Sequence, residues 1–191
     1  MKSPRKRLSA RETAKPPADR AKQAALQTGH LAESFVAHWL TAQGWTVLHQ
    51  RWHCLYGELD VVATQPDTLA FVEVKARSKG NWDENGLLSI TPQKQTKLWQ
   101  AAQLFLAEHP HLADLPCRFD IALLSCKPVR SSVKRSAYGG CAKRSITPNG
   151  EVLHSESQLS LPLTIELGQA IVFNGYELTL QQYIVNAFSE P

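Results

Sequence analysis

Gly57-Glu58-Leu59-Asp60-Val61-Val62 and Phe71-Val72-Glu73-Val74-Lys75 are two alternating runs separated by Gln65-Pro66-Asp67-Thr68. Alternation with period two marks both as strands, and a Pro-Asp pair between them marks a turn. The runs therefore predict a β-hairpin with Glu58, Asp60, Glu73 and Lys75 on one face and Val61, Val72 and Val74 on the other. Pairing Thr64 with Leu69 across the turn sets Asp60 opposite Glu73 and Glu58 opposite Lys75. Two carboxylates so placed lie roughly 5 Å apart. At an effective dielectric of 20 they repel by about 3 kcal/mol, more than a cross-strand pair ordinarily contributes. A divalent cation would offset that cost, because Mg²⁺ binds one or two carboxylates and keeps several waters. Acid, acid, lysine and Mg²⁺ (or Mn²⁺) form a set suited to phosphodiester hydrolysis: the ion polarises the phosphoryl group and the lysine stabilises developing charge. A solvent-facing hairpin, with Glu58 paired to Lys75 and the other acids hydrated, fits the same spacing.

Working outward, Ala32, Phe35, Val36, Trp39 and Leu40 recur at helical spacing between about Lys22 and Gln43, and Gly44 ends that helix. Glu33 lies seven residues before Leu40 and so projects within about 20° of that apolar position. Strands are expected over Trp45 to Arg51, Glu58 to Ala63, Leu69 to Arg77 and Arg118 to Ser125. Thr91 as N-cap and Pro92 as first helical residue open a second helix reaching about Glu108, with Lys94 and Lys97 in its first two turns. Helix N-termini favour phosphate, which makes these lysines candidates for nucleic-acid contact alongside the plain solvated reading. Ser78 to Leu88 reads as a loop leaving the third strand, and its Trp82 is placed to stack on a base or to pack locally. Leu180 to Phe188, through Leu180, Tyr183, Ile184 and Ala187, reads as a short closing helix, preceded by one or two strands within Leu161 to Phe173. The order helix, three strands, helix, strand makes an α/β domain with a mixed central sheet flanked by helices.

The 191 residues, 43% of them hydrophobic, suffice for one domain with flexible additions. Residues 1 to 22 have a net charge of +6 and include Arg5-Lys6-Arg7, and residues 126 to 149 again carry +6. By contrast, residues 23 to 125 carry −3 and residues 150 to 191 carry −5. The basic charge thus sits in a disordered arm at 1–22 and in a basic insertion or disordered loop at 126–160, outside the core at 23–125 and the closing segment at 161–191. Either basic segment could follow a phosphate backbone, and Arg5, Lys6 and Arg7 are the candidates in the arm. Cys54, Cys117, Cys126 and Cys141 include no pair at zinc-knuckle or CxxC spacing, so reduced thiols are expected. No apolar run is long enough to cross a bilayer, and no signal core follows the basic start. A soluble cytoplasmic protein with no membrane partner is the expectation.

Gly57-Glu58-Leu59-Asp60 followed by Phe71-Val72-Glu73-Val74-Lys75-Ala76-Arg77 resembles the signature of the bacterial YraN family. That family is similar to restriction-endonuclease-like PD-(D/E)XK nucleases and to Holliday junction resolvases. The resemblance extends through Gly29-His30-Leu31-Ala32-Glu33, Gly44-Trp45, Thr91-Pro92-Gln93-Lys94 and Arg118-Phe119-Asp120, and includes Tyr183 to Phe188. It covers roughly residues 23 to 125 and that last piece, and does not reach the basic insertion. It implies a restriction-endonuclease-like core (αβββαβ) and a metal held by Asp60, Glu73 and the Val74 carbonyl. Glu33 would complete or orient the site, Lys75 would position the attacking water or stabilise the pentavalent phosphorus, and Glu58 would hold Lys75 and could bind a second ion. The function so implied is a Mg²⁺- or Mn²⁺-dependent nuclease for structured or branched DNA. Resolvases of this type cut two strands as dimers, which allows a homodimer here. Two other readings stand beside it: a non-catalytic nucleic-acid-binding or adaptor protein with the same fold, and a metal hydrolase for a smaller phosphoester.

Overall fold

The computed structural model describes residues 18–78, 90–129 and 165–189, with only the backbone of 18–20. The elements are α1 (Ala18–Ala42), β1 (Thr46–Cys54), β2 (Gly57–Gln65), β3 (Thr68–Arg77), α2 (Pro92–Glu108), a 3-10 turn (Pro110–Leu112), β4 (Cys117–Pro128), β5 (Ala170–Phe173) and β6 (Tyr176–Phe188). Among the described residues six strands form one mixed sheet in the order β1-β2-β3-β4-β6-β5. Only β3 and β4 run parallel, and α2 makes the crossover that parallel neighbours require. This is a mixed α/β domain, compatible with a restriction-endonuclease-like core.

The helices cover opposite faces. Phe35, Val36, Trp39 and Leu40 of α1 share one apolar core with Val61, Ala63, Ala70, Val72, Ala122 and Leu124. Leu98, Ala101, Ala102 and Phe105 of α2 share the other with Val62, Leu69, Phe71, Phe119, Ile121 and Leu123. Successive strand residues alternate between these cores, the period-two pattern of a strand buried on both sides. Thr91 caps α2 by accepting from the Lys94 N–H at 3.3 Å, with Pro92 first in the helix, as the sequence predicts. The turn at Pro66-Asp67 is also as expected: Gln65 pairs with Thr68, Thr64 with Leu69 and Val61 with Val72.

Two expectations are corrected. Helix α1 begins at Ala18, so the end of the stretch assigned to a disordered arm is helical. The closing segment is strand β6, not a helix. Its apolar residues fall at three- and four-residue spacing because β6 carries extra residues where its register against β4 shifts, between Phe119/Ile121 and between Leu123/Leu124. Such bulges interrupt period two without ending the strand. Leu180 and Tyr183 therefore reach the α1 side although they are three apart, while Ile184, Ala187 and Phe188 reach the α2 side. The turn before β6 is Asn174-Gly175, with φ of 48° and 77°, the residue pair and backbone region of a tight hairpin.

Candidate active site

The regular pairing of β2 with β3 stops at Val61–Val72, and the acids lie just past that point. The register is the one that sets Asp60 opposite Glu73. Instead of a backbone ladder, the Asp60 Oδ2 accepts from the Val74 N–H at 2.7 Å. The alternation of β2 also breaks here: Leu59 joins the α2-side core while Val61, two residues on, joins the α1-side core. On β1, Arg51 lies between the pairs Gln50–Val61 and Trp52–Leu59 and has φ of 55°, a left-handed conformation that costs a residue with a Cβ roughly 1–2 kcal/mol. The backbone is distorted on the two neighbouring strands beside the acids, a common placement for functional sites.

Asp60 and Glu73 are only 6% and 4% exposed. Burial, and then the charge of Glu73, push the Asp60 carboxyl up to about 7, against the smaller opposing effect of the Val74 N–H. Glu73 lies between two ammonium groups, with Lys75 Nζ donating to Oε1 at 2.6 Å and Lys94 Nζ 3.3 Å from Oε2. The Lys94 approach lacks hydrogen-bond geometry, so Glu73 Oε2 is buried without a hydrogen-bond partner among the described residues.

Glu33 comes from α1, its Oε2 3.3 Å from Arg51 Nε, and neither atom makes a hydrogen bond among the described residues. Burial raises the Glu33 pKa, partly offset by Arg51. Glu58 is placed differently from the sequence reading. It approaches Arg51 Nη2 at 3.8 Å and His53 Nε2 at 3.1 Å, whereas Lys75 is held by Glu73. The physical reason is the end of the β2–β3 ladder: beyond Val61, β2 stays paired with β1, where His53 is the cross-strand partner of Glu58. Arg51 thereby links Glu33 to Glu58, a role the sequence reading missed. A basic residue directly across from Asp60 was the available signal.

No three His, Cys, Asp or Glu side chains converge as a metal cage among the described residues. The donor set still suits a hard divalent cation: two buried neighbouring carboxylates, one oxygen without a hydrogen bond, and backbone carbonyls to add. Among the described residues no histidine joins them, and Cys126 and Cys117 are poor ligands because burial pushes the first up to about 11 and raises the second. Lys94 and Lys97 line a cleft of about 400 Å³ with His53, Tyr56, Glu58 and Leu98. Arg5, Lys6, Arg7 and Trp82 lie outside the described residues, as do residues 130–160 of the basic insertion and 161–164 of the closing segment.

A fourth buried acid among the described residues, after Glu33, Asp60 and Glu73, escaped the sequence reading as a centre of its own. Asp120 on β4 is fully buried and accepts from Arg118 Nε at 3.1 Å, Tyr183 Oη at 2.7 Å and the Asn186 N–H at 2.8 Å. Asn186 has φ of 50° and sits in the bulged part of β6, so Asp120 satisfies an amide that the bulge removes from the ladder. Tyr183 in turn packs on Trp39 of α1, ring centroids 4.8 Å apart. This acid ties β6 to β4.

Among the described residues no helix is long and apolar enough to cross a membrane. Residues 32–124 match the model of uncharacterised protein family UPF0102. The chain is 42% identical over 175 residues to the UPF0102 protein of Trichodesmium erythraeum (strain IMS101), covering 85% of this chain and 89% of that one. It is 41% identical over 173 residues to a UPF0102 protein of Acaryochloris marina (strain MBIC 11017), covering 86% and 91%. A UPF0102 protein of Synechococcus sp. (strain JA-3-3Ab) is 54% identical over 104 residues, 54% of this chain and 78% of the relative. Matches that long, together with the acid-bearing hairpin they span, place the chain in the UPF0102 family, the YraN group that its motif blocks resemble.

Proposed function

We propose that this protein is a metal-dependent nuclease that hydrolyses phosphodiester bonds in structured or branched DNA. One observation carries the reading: Asp60 and Glu73 are buried side by side, and Glu73 keeps a buried oxygen without a hydrogen bond although two lysines bracket it. A purely structural acid pair would be expected to fill its acceptor sites. Asp60, Glu73 and the Val74 carbonyl would hold Mg²⁺ or Mn²⁺, three oxygen donors with room left for water. When bound, the ion supplies Lewis-acid polarisation of the phosphate and a lowered pKa for the attacking water.

The chain's own groups do the rest. The Lys75 ammonium, fixed by Glu73 at 2.6 Å, is held where it can stabilise charge on the phosphoryl oxygens. Asp60 is oriented by the Val74 N–H, which keeps one carboxylate oxygen pinned to the backbone of β3. Glu33 is held at the site by Arg51, which also restrains Glu58. Lys94, in the first turn of α2, adds positive charge beside Glu73.

A panel of linear, flapped and four-way DNA incubated with Mg²⁺ and Mn²⁺ tests the reading. Cleavage of the branched forms is expected, lost in Asp60→Asn and in Lys75→Ala, with Mn²⁺ binding retained only in the lysine variant. DNA bound but left uncut by the unaltered protein would instead favour the adaptor reading. Hydrolysis of a small phosphodiester with no action on DNA would favour the smaller-substrate hydrolase.

A further inference from the structure

The turn joining β1 to β2 is built from unexpected residues. Cys54 pairs with Gly57, leaving Leu55-Tyr56 as a two-residue loop where Asn, Asp and Gly are the usual occupants. Gly57 has φ of 134°, a conformation suited to glycine, so the shape of the turn is fixed by the backbone. Leu55 is 79% exposed and Tyr56 37%. Large apolar groups at a hairpin tip gain nothing from the core, which directs attention to what they face.

Tyr56 lines the cleft of about 400 Å³ between this hairpin and the first turns of α2. That volume is in the ~300–1,000 Å³ range of pockets for small ligands. The walls are of two kinds. Tyr56 and Leu98 offer an aromatic ring and an apolar surface, and Lys94 and Lys97 offer ammonium groups. The two lysines differ: Lys94 is engaged by Glu73, whereas Lys97 is exposed and makes no ion pair among the described residues. His53 is committed elsewhere, with Nε2 on Glu58 and Nδ1 on the Arg51 carbonyl. An aromatic face with a spare cation beside it complements a nucleotide, whose base is flat and stackable and whose phosphate is anionic. Lys94 and Glu58 line this cleft and also pair with Glu73 and Arg51, so the cleft adjoins the acid site.

We propose that this cleft receives a single unpaired nucleotide next to the phosphate to be cut, with Tyr56 stacking on its base and Lys97 holding a phosphate. The proposal rests on the nuclease reading and narrows its substrate to DNA that presents an unstacked nucleotide at a flap, gap or junction. A continuous duplex has no base free to enter.

Fluorescence anisotropy in EDTA, on the full chain with labelled flapped DNA and a matched unbroken duplex, tests this without turnover. Tyr56→Ala should weaken binding to the flapped DNA about 5- to 150-fold, from the ~1–3 kcal/mol of one base–aromatic stack, and leave the duplex unchanged. Tyr56→Trp should restore the affinity. Lys97→Ala should weaken binding and lower the slope of log K against log salt by roughly 0.7–0.9, one phosphate contact. Unchanged flapped-DNA affinity in Tyr56→Ala, or an equal loss on the duplex, overturns the proposal. Mn²⁺ calorimetry on the same proteins separates the two readings. Mn²⁺ binding with Tyr56-independent DNA affinity removes the cleft and spares the acid site. Tyr56-dependent affinity without Mn²⁺ binding keeps the nucleotide cleft and removes the metal site.

Discussion

Asp60 on β2 and Asp120 on β4 are both buried aspartates in the central sheet, yet their surroundings are opposite. Asp120 accepts three hydrogen bonds from Arg118, Tyr183 and the Asn186 amide. Asp60 accepts one from the Val74 N–H and faces a second buried acid, Glu73, whose charge opposes its ionisation. Burial alone therefore does not mark a reactive acid. A carboxylate whose acceptors are filled serves as a structural tie, whereas the Asp60–Glu73 pair sets two buried like charges close together, which is where the proposed cation would act.

The largest effect that sharpens this contrast is on stability at Asp120. Asp120→Ala leaves Arg118, Tyr183 and the bulged β6 amide without their acceptor inside the protein, and should destabilise it by about 3–5 kcal/mol in urea unfolding. Asp60→Asn should act in the other direction. An amide keeps an oxygen for the Val74 N–H and removes the buried charge, so metal-free protein at pH 8 should gain about 2 kcal/mol.

The sign with pH follows from the raised Asp60 pKa, about 7 against an ordinary value of 3.8. Between those values the folded state holds more protons than the unfolded chain, so this contribution is full below about pH 4 and is lost as pH rises through 7. Asp60→Asn should flatten that decline in metal-free unfolding curves measured from pH 4 to 8. An equal decline in the variant would assign it to other groups. The smallest effect is expected at Tyr183→Phe, which removes one of three donors to Asp120 and should cost about 1–2 kcal/mol with DNA cleavage intact.

The two aspartates also differ in how far they could be read from sequence. Asp60 stands in a strand whose partner follows after a two-residue turn, so local alternation and a Pro-Asp signal were enough to give both the register and the acid pair. Thr91-Pro92 marked the start of α2 by the same local logic. The Asp120 network was not legible, because its partners Tyr183 and Asn186 are more than sixty residues away and lie on a strand whose bulges imitate helical spacing. The Asn174-Gly175 turn was the local clue that a strand followed. Arg51 fell between these cases: its position near Asp60 follows from the β1–β2 pairing, but its link to Glu33 depends on how α1 crosses the sheet.

The claim that Asp60 and Glu73 form a cation site is tested most directly by isothermal calorimetry with Mn²⁺ on the unaltered protein, Asp60→Asn, Glu73→Gln and Tyr183→Phe. The account predicts saturable binding in the unaltered protein and in Tyr183→Phe, and its loss in both acid variants. Binding in Asp60→Asn equal to that of the unaltered protein would contradict it.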